Sequence, residues 1–276
     1  MLGAPALAAR AALRAGAGLV RLLCPERILN EVIAVTPEAT GVGLRCDEAG
    51  HVLGHEAATT IDVALSGAGA VIVGPGLGMG ALGSGLAAGT AAVVLRVTLH
   101  SEVPVVLDAD ALNCLSVMPE FWRDLRAPAI LTPHPGEAAR LARALALPAP
   151  GDDDDSRTAT CEGLARRLGV VVVLKGSRTV VSDGLRTWRC ERGHACLATA
   201  GTGDVLAGVI GAMLAPRTPI VAGTHGPTDL FTVACAAVEA HAIAGENWAA
   251  RQGASGLLAH ELADEVPRVM ERMRAE

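Results

Sequence analysis

The chain has 276 residues with a net charge of −6; 51% are hydrophobic and only 2% aromatic, with two Phe, three Trp and no Tyr. That balance excludes a basic, aromatic-laced nucleic-acid surface, and no apolar run approaches the ~18 residues of a membrane span. Core volume must come from Val, Leu, Ile and Ala, with 32 Gly allowing close helix–sheet approach, which suits a buried parallel sheet.

At the N-terminus, MLGAPALAARAALRAGAGLV reads as an amphipathic helix over 5–15, closed by Gly16 and entering a strand at 19–23. Arg10 and Arg14 interrupt the apolar run and no basic segment precedes it, so it is not a secretory leader. Further strands are expected at 70–73, 103–107, 129–131, 170–174 and 179–181, as short β-branched runs. Helices are expected at 56–66, 80–96, 110–117, 136–146, 158–168, 204–214 and 229–244, and at 255–273 with an interruption near Pro267. Two stretches read as surface loops: 148–156, with four consecutive Asp, and the Pro/Gly/Thr-rich 216–227. There is no internal repeat. The seven Cys are odd in number and form no CxxC, so they read as buried free thiols of a reducing compartment. The β-then-α rhythm predicts an α/β fold, a mostly parallel central sheet with helices on both faces. Ligands of such sheets bind beyond the carboxyl ends of the strands.

Each strongly patterned loop falls at such an end. GPGLGMG follows 70–73, DADALN follows 105–107, TPHPGE follows 130–131 and KGSRT follows 171–174. A fifth, ATAGTGDVLAG (198–208), leads into a helix. Its glycines permit a tight turn and close ligand approach. The free N–H groups of the first turn then form an anion hole. Asp204 is either a catalytic carboxylate there or a plain N-cap, and the Gly-Thr-Gly before it favours the first. Lys175 leaving a buried strand suits phosphate binding, although 170–181 also reads as a hairpin turned by Gly176. Two prolines stiffen the loop around His134, and Glu137 opens the next helix, either as a working acid or as a first-turn complement to the dipole. Asp108 and Asp110 at a strand end need solvent, hydrogen bonds or a cation, or serve as caps. GLGMGA (76–81) fits GxGxxA, but Glu102 precedes the next strand rather than ending it, which excludes a Rossmann dinucleotide site. The remaining histidines, including His241, show no ligand spacing.

Six segments in this order, MLGAPALAARAALRAGAGLV, VIVGPGLG, VVLDADALN, ILTPHPGEAARL, VVLKGSRTVV and ATAGTGDVLAG, resemble the ADP-dependent NAD(P)H-hydrate dehydratase family, the C-terminal half of bifunctional nicotinamide-repair proteins. The resemblance runs from Met1 to the last helix. It implies a ribokinase-like three-layer sandwich, with 1–276 forming one domain that lacks the family's usual first strand and the fused epimerase half. It also implies a reaction. A phosphoryl group passes from ADP (or ATP) to the hydroxyl of hydrated NADH or NADPH of the S form, and phosphate is then eliminated to restore the cofactor. By resemblance, Asp204 is the base. Ala4, Gly78, His134 and Asp204 bind the substrate, and Lys175, Gly176, Ser177, Arg178, Thr179, Thr202 and Gly203 bind the nucleotide. Glu137 places Mg2+ through water, and Asp108 and Asn113 support the site. Cytoplasmic location, a homotetramer, and no nucleic-acid or membrane partner are further expectations. The alternatives are a ribokinase-like small-molecule kinase of the hydroxyethylthiazole or pyridoxal type, and a catalytically silent nucleotide-binding relative.

Overall fold

The computed structural model describes residues 2–79, 85–100, 102–215 and 229–275. Helix α1 (Gly3–Arg14) is followed by strand β1 (Arg21–Pro25), α2 (Leu29–Val35) and β2 (Thr40–Leu44). Then α3 (Gly54–Leu65) precedes β3 (Val71–Val73), and α4 (Gly85–Thr98) precedes β4 (Val105–Leu107). Next come α5 (Asp110–Val117), β5 (Ala129–Leu131), α6 (Pro135–Ala144), α7 (Asp154–Leu168) and β6 (Val171–Leu174). A hairpin of β7 (Val180–Ser182) and β8 (Thr187–Arg189) leads to α8 (Thr202–Leu214), α9 (Leu230–Gln252) and α10 (Ala259–Ala275).

Strands β3 to β8 form one sheet in sequence order, parallel through β6 and antiparallel from β6 to β8. Strands β1 and β2 form a separate parallel pair, facing β3 across an apolar cleft of about 390 Å³. Successive side chains of a strand point to opposite faces, and the central strands are apolar on both. Val105, Leu107, Leu131 and Val172 pack under α3 to α7, whereas Val106, Ile130, Val171 and Val173 pack under α1, α8, α9 and α10. The result is a three-layer sandwich with two cores, one on each side of the sheet.

The alanines and glycines of the first motif have a packing role. A Cβ on Gly208 of α8 would lie 2.3 Å from the Ala8 carbonyl oxygen of α1, so the two helices meet backbone to backbone. All seven Cys are free, and five of them are buried. No helix among the described residues is long and apolar enough to cross a membrane.

Most expected elements are found within a few residues. Three were not expected: α2, β2 and β8. Strand β2 is TGVGL, whose two glycines weaken any strand signal. Packing decides otherwise, since a Cβ on Gly41 would meet Leu29 Cδ1 at 2.6 Å and one on Gly43 would meet Glu26 Cβ at 2.9 Å. The acidic run is not all loop. Asp153 caps α7, its carboxylate accepting Ser156 N–H at 2.7 Å, and Asp154 and Asp155 sit in the first turn, where negative charge complements the dipole. Pro267 does not interrupt the last helix; α10 runs through it, with Val266, Val269 and Met270 buried on either side. The loop 216–227 and the first residues of the helix expected at 80–96 lie outside the described residues.

Candidate active site

The loops beyond β3, β4, β5 and β6 are stitched together by backbone hydrogen bonds that continue the sheet past its last paired residues. Asp108 N–H donates to Val73 O at 3.1 Å, Thr132 N–H to Leu107 O at 3.0 Å, and Lys175 N–H to Pro133 O at 2.8 Å. Four of the patterned loops therefore form one rigid rim. Gly74 makes the tightest approach in it: with φ +123°, its Cβ would lie 1.7 Å from Asp108 O. Ala109, between the two aspartates, holds φ 48° and ψ −116°, a region that non-glycine residues rarely adopt and that clusters at functional sites.

Over this rim stands the start of α8. Its N-cap is Gly201, in the left-handed region at φ 90°, and no side chain caps the helix. A Cβ on Gly201 would meet Leu7 Cδ1 at 2.8 Å and Ala259 Cβ at 2.9 Å, so the turn has room for glycine alone. Thr202 Oγ1 is 2.9 Å from both Leu197 O and Thr199 O, which anchors the turn from below. The N–H groups of Gly203 and Asp204 have no partner among the described residues. Asp204 is thus the third helical residue rather than the N-cap, and the capping explanation of this aspartate fails. Its carboxyl is pushed up to about 6, chiefly by burial, with Asp108 adding to the rise and Lys175 opposing it.

Lys175 places its Nζ 2.7 Å from Oδ1 of Asp108, which is 1% exposed. The same ammonium would lie 3.4 Å from a Cβ at Gly203, so it reaches the α8 start through the space that glycine leaves. One cation therefore bridges the β4 carboxylate and the open helix end. The hairpin reading of 170–181 also holds, because β6 and β7 pair antiparallel around this segment. In that turn, Thr179 Oγ1 donates to Gly176 O at 3.1 Å, and the exposed Arg178 guanidinium donates to Asp154 Oδ2 at 2.6 Å.

The α6 start is sealed instead. His134 is its N-cap, and its Nδ1 accepts Gly136 N–H at 3.0 Å, which puts the ring proton on Nε2. Glu137 Oε2 accepts His134 N–H at 2.8 Å, and Oε1 lies 3.4 Å from His134 Nε2. Burial lifts the Glu137 carboxyl to about 7. Burial, then Lys175 and Arg140, hold the His134 imidazole below its usual range.

Gly78, Asn113 and Ala4 sit after β3, on α5 and on α1. Gly78 N–H donates to Asp110 Oδ2 at 2.8 Å, tying the β3 loop to α5. Asn113 Oδ1 accepts Arg140 Nε–H at 3.0 Å, which links α5 to α6 rather than facing the centre. Ala4 is 5% exposed, one turn before Leu7 on the helix that packs against α8. Among the described residues, no group of three or more His, Cys, Asp or Glu is arranged to hold a metal ion.

Two residues were missed by sequence reasoning. The buried Arg157 guanidinium donates to Ser177 O and to Lys175 O, so α7 holds the backbone of the KGS loop. The signal was an arginine in a first helical turn, where the dipole disfavours positive charge. His241 of α9 contacts Thr202 O at 2.9 Å. Its only signal was a lone imidazole among alanines.

The chain is similar to known proteins over nearly its whole length. A family model described as NAD(P)H-hydrate dehydratase matches residues 1–268. The bifunctional NAD(P)H-hydrate repair enzyme Nnr of Escherichia coli is 35% identical over 271 residues, which is 97% of this chain but 45% of that protein. The chain thus spans about half of the bifunctional relative. An ADP-dependent (S)-NAD(P)H-hydrate dehydratase of Neisseria meningitidis is 39% identical over 268 residues, covering 95% of this chain and 79% of that one. The ADP/ATP-dependent NAD(P)H-hydrate dehydratase of Bacillus subtilis, crystallised with ATP/Mg2+ and soaked with CoA, superposes with a TM-score of 0.73 at 30% identity, covering 99% of this chain and 88% of that one. The three-layer architecture is the ribokinase-like one that the motifs imply.

Proposed function

The chain belongs to the NAD(P)H-hydrate dehydratase family, and from that premise we propose that it is an ADP-dependent (S)-NAD(P)H-hydrate dehydratase whose phosphoryl site is the open start of α8. The observation that carries this reading is Asp204: a half-buried carboxylate beside two N–H groups with no partner among the described residues and beside the Lys175 ammonium.

In this reading the hydroxyl of the hydrated nicotinamide ring attacks the terminal phosphoryl group of ADP. Asp204 takes the hydroxyl proton, a bond forms between that oxygen and phosphorus, and AMP leaves. Gly203 and Asp204 N–H hold the transferring phosphoryl oxygens, where preorganised donors stabilise developing charge. Lys175 shifts from Asp108 toward the phosphates, and Gly176 to Thr179 with Thr202 hold the rest of the nucleotide. Phosphate then departs from the ring carbon with loss of a proton from its neighbour, which restores the double bond. His134, Gly78 and Ala4 face the substrate, and Asp108 and Asn113 support the rim. Mg2+ arriving with the nucleotide would neutralise phosphate charge. The oxygen donors suit it, with Glu137 acting through water because both its oxygens are turned to His134. We read residues 1–276 as one dehydratase unit of a cytoplasmic homotetramer.

Purified protein given hydrated NADH and ADP is expected to restore the reduced-nicotinamide absorbance and to release one AMP per cofactor. Asp204→Asn is expected to abolish turnover and keep AMP binding. Tight AMP binding without turnover in the wild type would overturn the reading, as would phosphorylation of simple alcohols in place of the hydrate.

A further inference from the structure

His241 lies on α9, in a different layer position from every rim loop, and no catalytic motif contains it. Its Nε2 is 2.9 Å from the carbonyl oxygen of Thr202. A carbonyl can only accept, so Nε2 carries the proton and donates. Burial holds the imidazole down to about 4, so the ring is neutral at physiological pH and a single tautomer makes this bond.

The bond matters because of which peptide it grips. The Thr202 carbonyl and the Gly203 N–H belong to one planar unit and point in opposite directions. Gly203 N–H is one of the two donors at the α8 start with no partner among the described residues. Holding the oxygen fixes the direction of that N–H. A donor on the oxygen also polarises the amide and strengthens its N–H as a donor. The side chain of Thr202 is tied to Leu197 O and Thr199 O. Those bonds anchor its Cα; the Thr202 oxygen also takes the Leu206 N–H as the first carbonyl bonded within α8, and His241 adds a second donor, from another helix, to the same peptide.

We infer that His241 is a positioning residue of the phosphoryl site, acting through the Thr202–Gly203 peptide to aim the Gly203 N–H at the transferring group. The inference rests on the proposed reading of the α8 start as that site. His241→Phe removes the donor and keeps the bulk, whereas His241→Gln restores an amide N–H at nearly the same reach. His241→Phe is expected to lower kcat about tenfold, the worth of one well-placed donor bond, with KM for the hydrated cofactor within about twofold. His241→Gln is expected to recover most of that loss.

A spectroscopic readout is independent of turnover. The chain has two Thr–Gly peptides, Thr40–Gly41 and Thr202–Gly203, so protein carrying carbonyl-13C threonine and 15N glycine shows two selected amide signals. The Gly203 amide proton is expected to move upfield in His241→Phe, to return in His241→Gln, and the Gly41 signal to stay. An unmoved Gly203 signal in His241→Phe overturns the inference. So does a variant whose Tm falls while kcat per folded molecule is unchanged, and so does a Gln variant no better than Phe. If the wild type fails to turn over hydrated cofactor, the proposed function fails, yet the Gly203 signal still reports whether His241 sets that peptide.

Discussion

Two of the helices that begin at this rim, α6 and α8, begin in opposite ways. Helix α6 closes its own end: His134 and Glu137 use each other and the Gly136 N–H, and Pro135 contributes no N–H at all. Helix α8 opens on a left-handed glycine with no side-chain cap, and the N–H groups of Gly203 and Asp204 have no partner among the described residues. Both starts follow short loops of small or stiff residues, and both carry an acid at the third helical position. Only the second can take an anion. The free donors of a helix end are sealed in α6 and left open in α8, and that difference, not the shared acid, separates the two starts.

The strongest way to break this contrast is Asp204→Asn. We expect kcat to fall about 10³-fold, within the range of a lost general base, measured as ADP-dependent recovery of reduced nicotinamide. In the wild type the same rate should rise as pH passes through about 6, where Asp204 loses its proton, and then level off. The stability effect has the opposite sign. The folded-state pKa is raised, so the folded protein holds this proton more tightly than the unfolded chain does. Stability from this group is present below the unfolded value and declines as pH climbs through about 6. Asp204→Asn should therefore raise Tm at neutral pH by a few degrees, a gain that a cap residue could not give.

Lys175→Met comes next. We expect kcat to fall about 10²-fold from loss of a charged phosphoryl contact, with Tm reduced because Asp108 is left buried without its cation. Glu137→Gln probes the sealed end. Its carboxyl is raised to about 7, so the variant's Tm should gain on that of the wild type as pH climbs from acid to about 7, read by thermal melts across that range. Asp153→Ala, at the side-chain-capped start of α7, is expected to have the smallest effect. It should cost about 1 kcal/mol in denaturant melts, the ordinary worth of an N-cap. Asp153 is an N-cap set apart from the uncapped α8 start, and loss of turnover there out of proportion to stability would erase the distinction between the two kinds of helix start.

Much of this contrast is legible in the residues alone. Strands β4 to β6 are short apolar runs because both their faces are buried, and glycine and proline punctuate each rim loop where the backbone must turn. The Asp204 loop stands out for the same reason. What the sequence hides depends on partners far along the chain. TGVGL carries no strand signal of its own, and only Leu29 and Glu26, which leave no room for side chains at Gly41 and Gly43, account for its glycines. Whether Asp204 caps α8 or stands inside it turns on the conformation of Gly201, which its neighbours Leu7 and Ala259 enforce. Arg157 and His241 act on backbone carbonyls 18 to 39 positions away, and no spacing rule reaches them.

The three bonds that carry the sheet past its strands have a consequence for how the molecule breathes. Amides exchange with deuterium only when their bonds open, and core ladders open last. Asp108, Thr132 and Lys175 sit in loops, yet their amides are ladder amides and should exchange as slowly as those of Val106 or Val172. Gly203 and Asp204, a few ångströms away, should exchange at once. A deuterium map of this protein would then show a fast spot framed by slow loops, the reverse of the usual picture of a mobile rim around a rigid centre, and nucleotide should darken that spot.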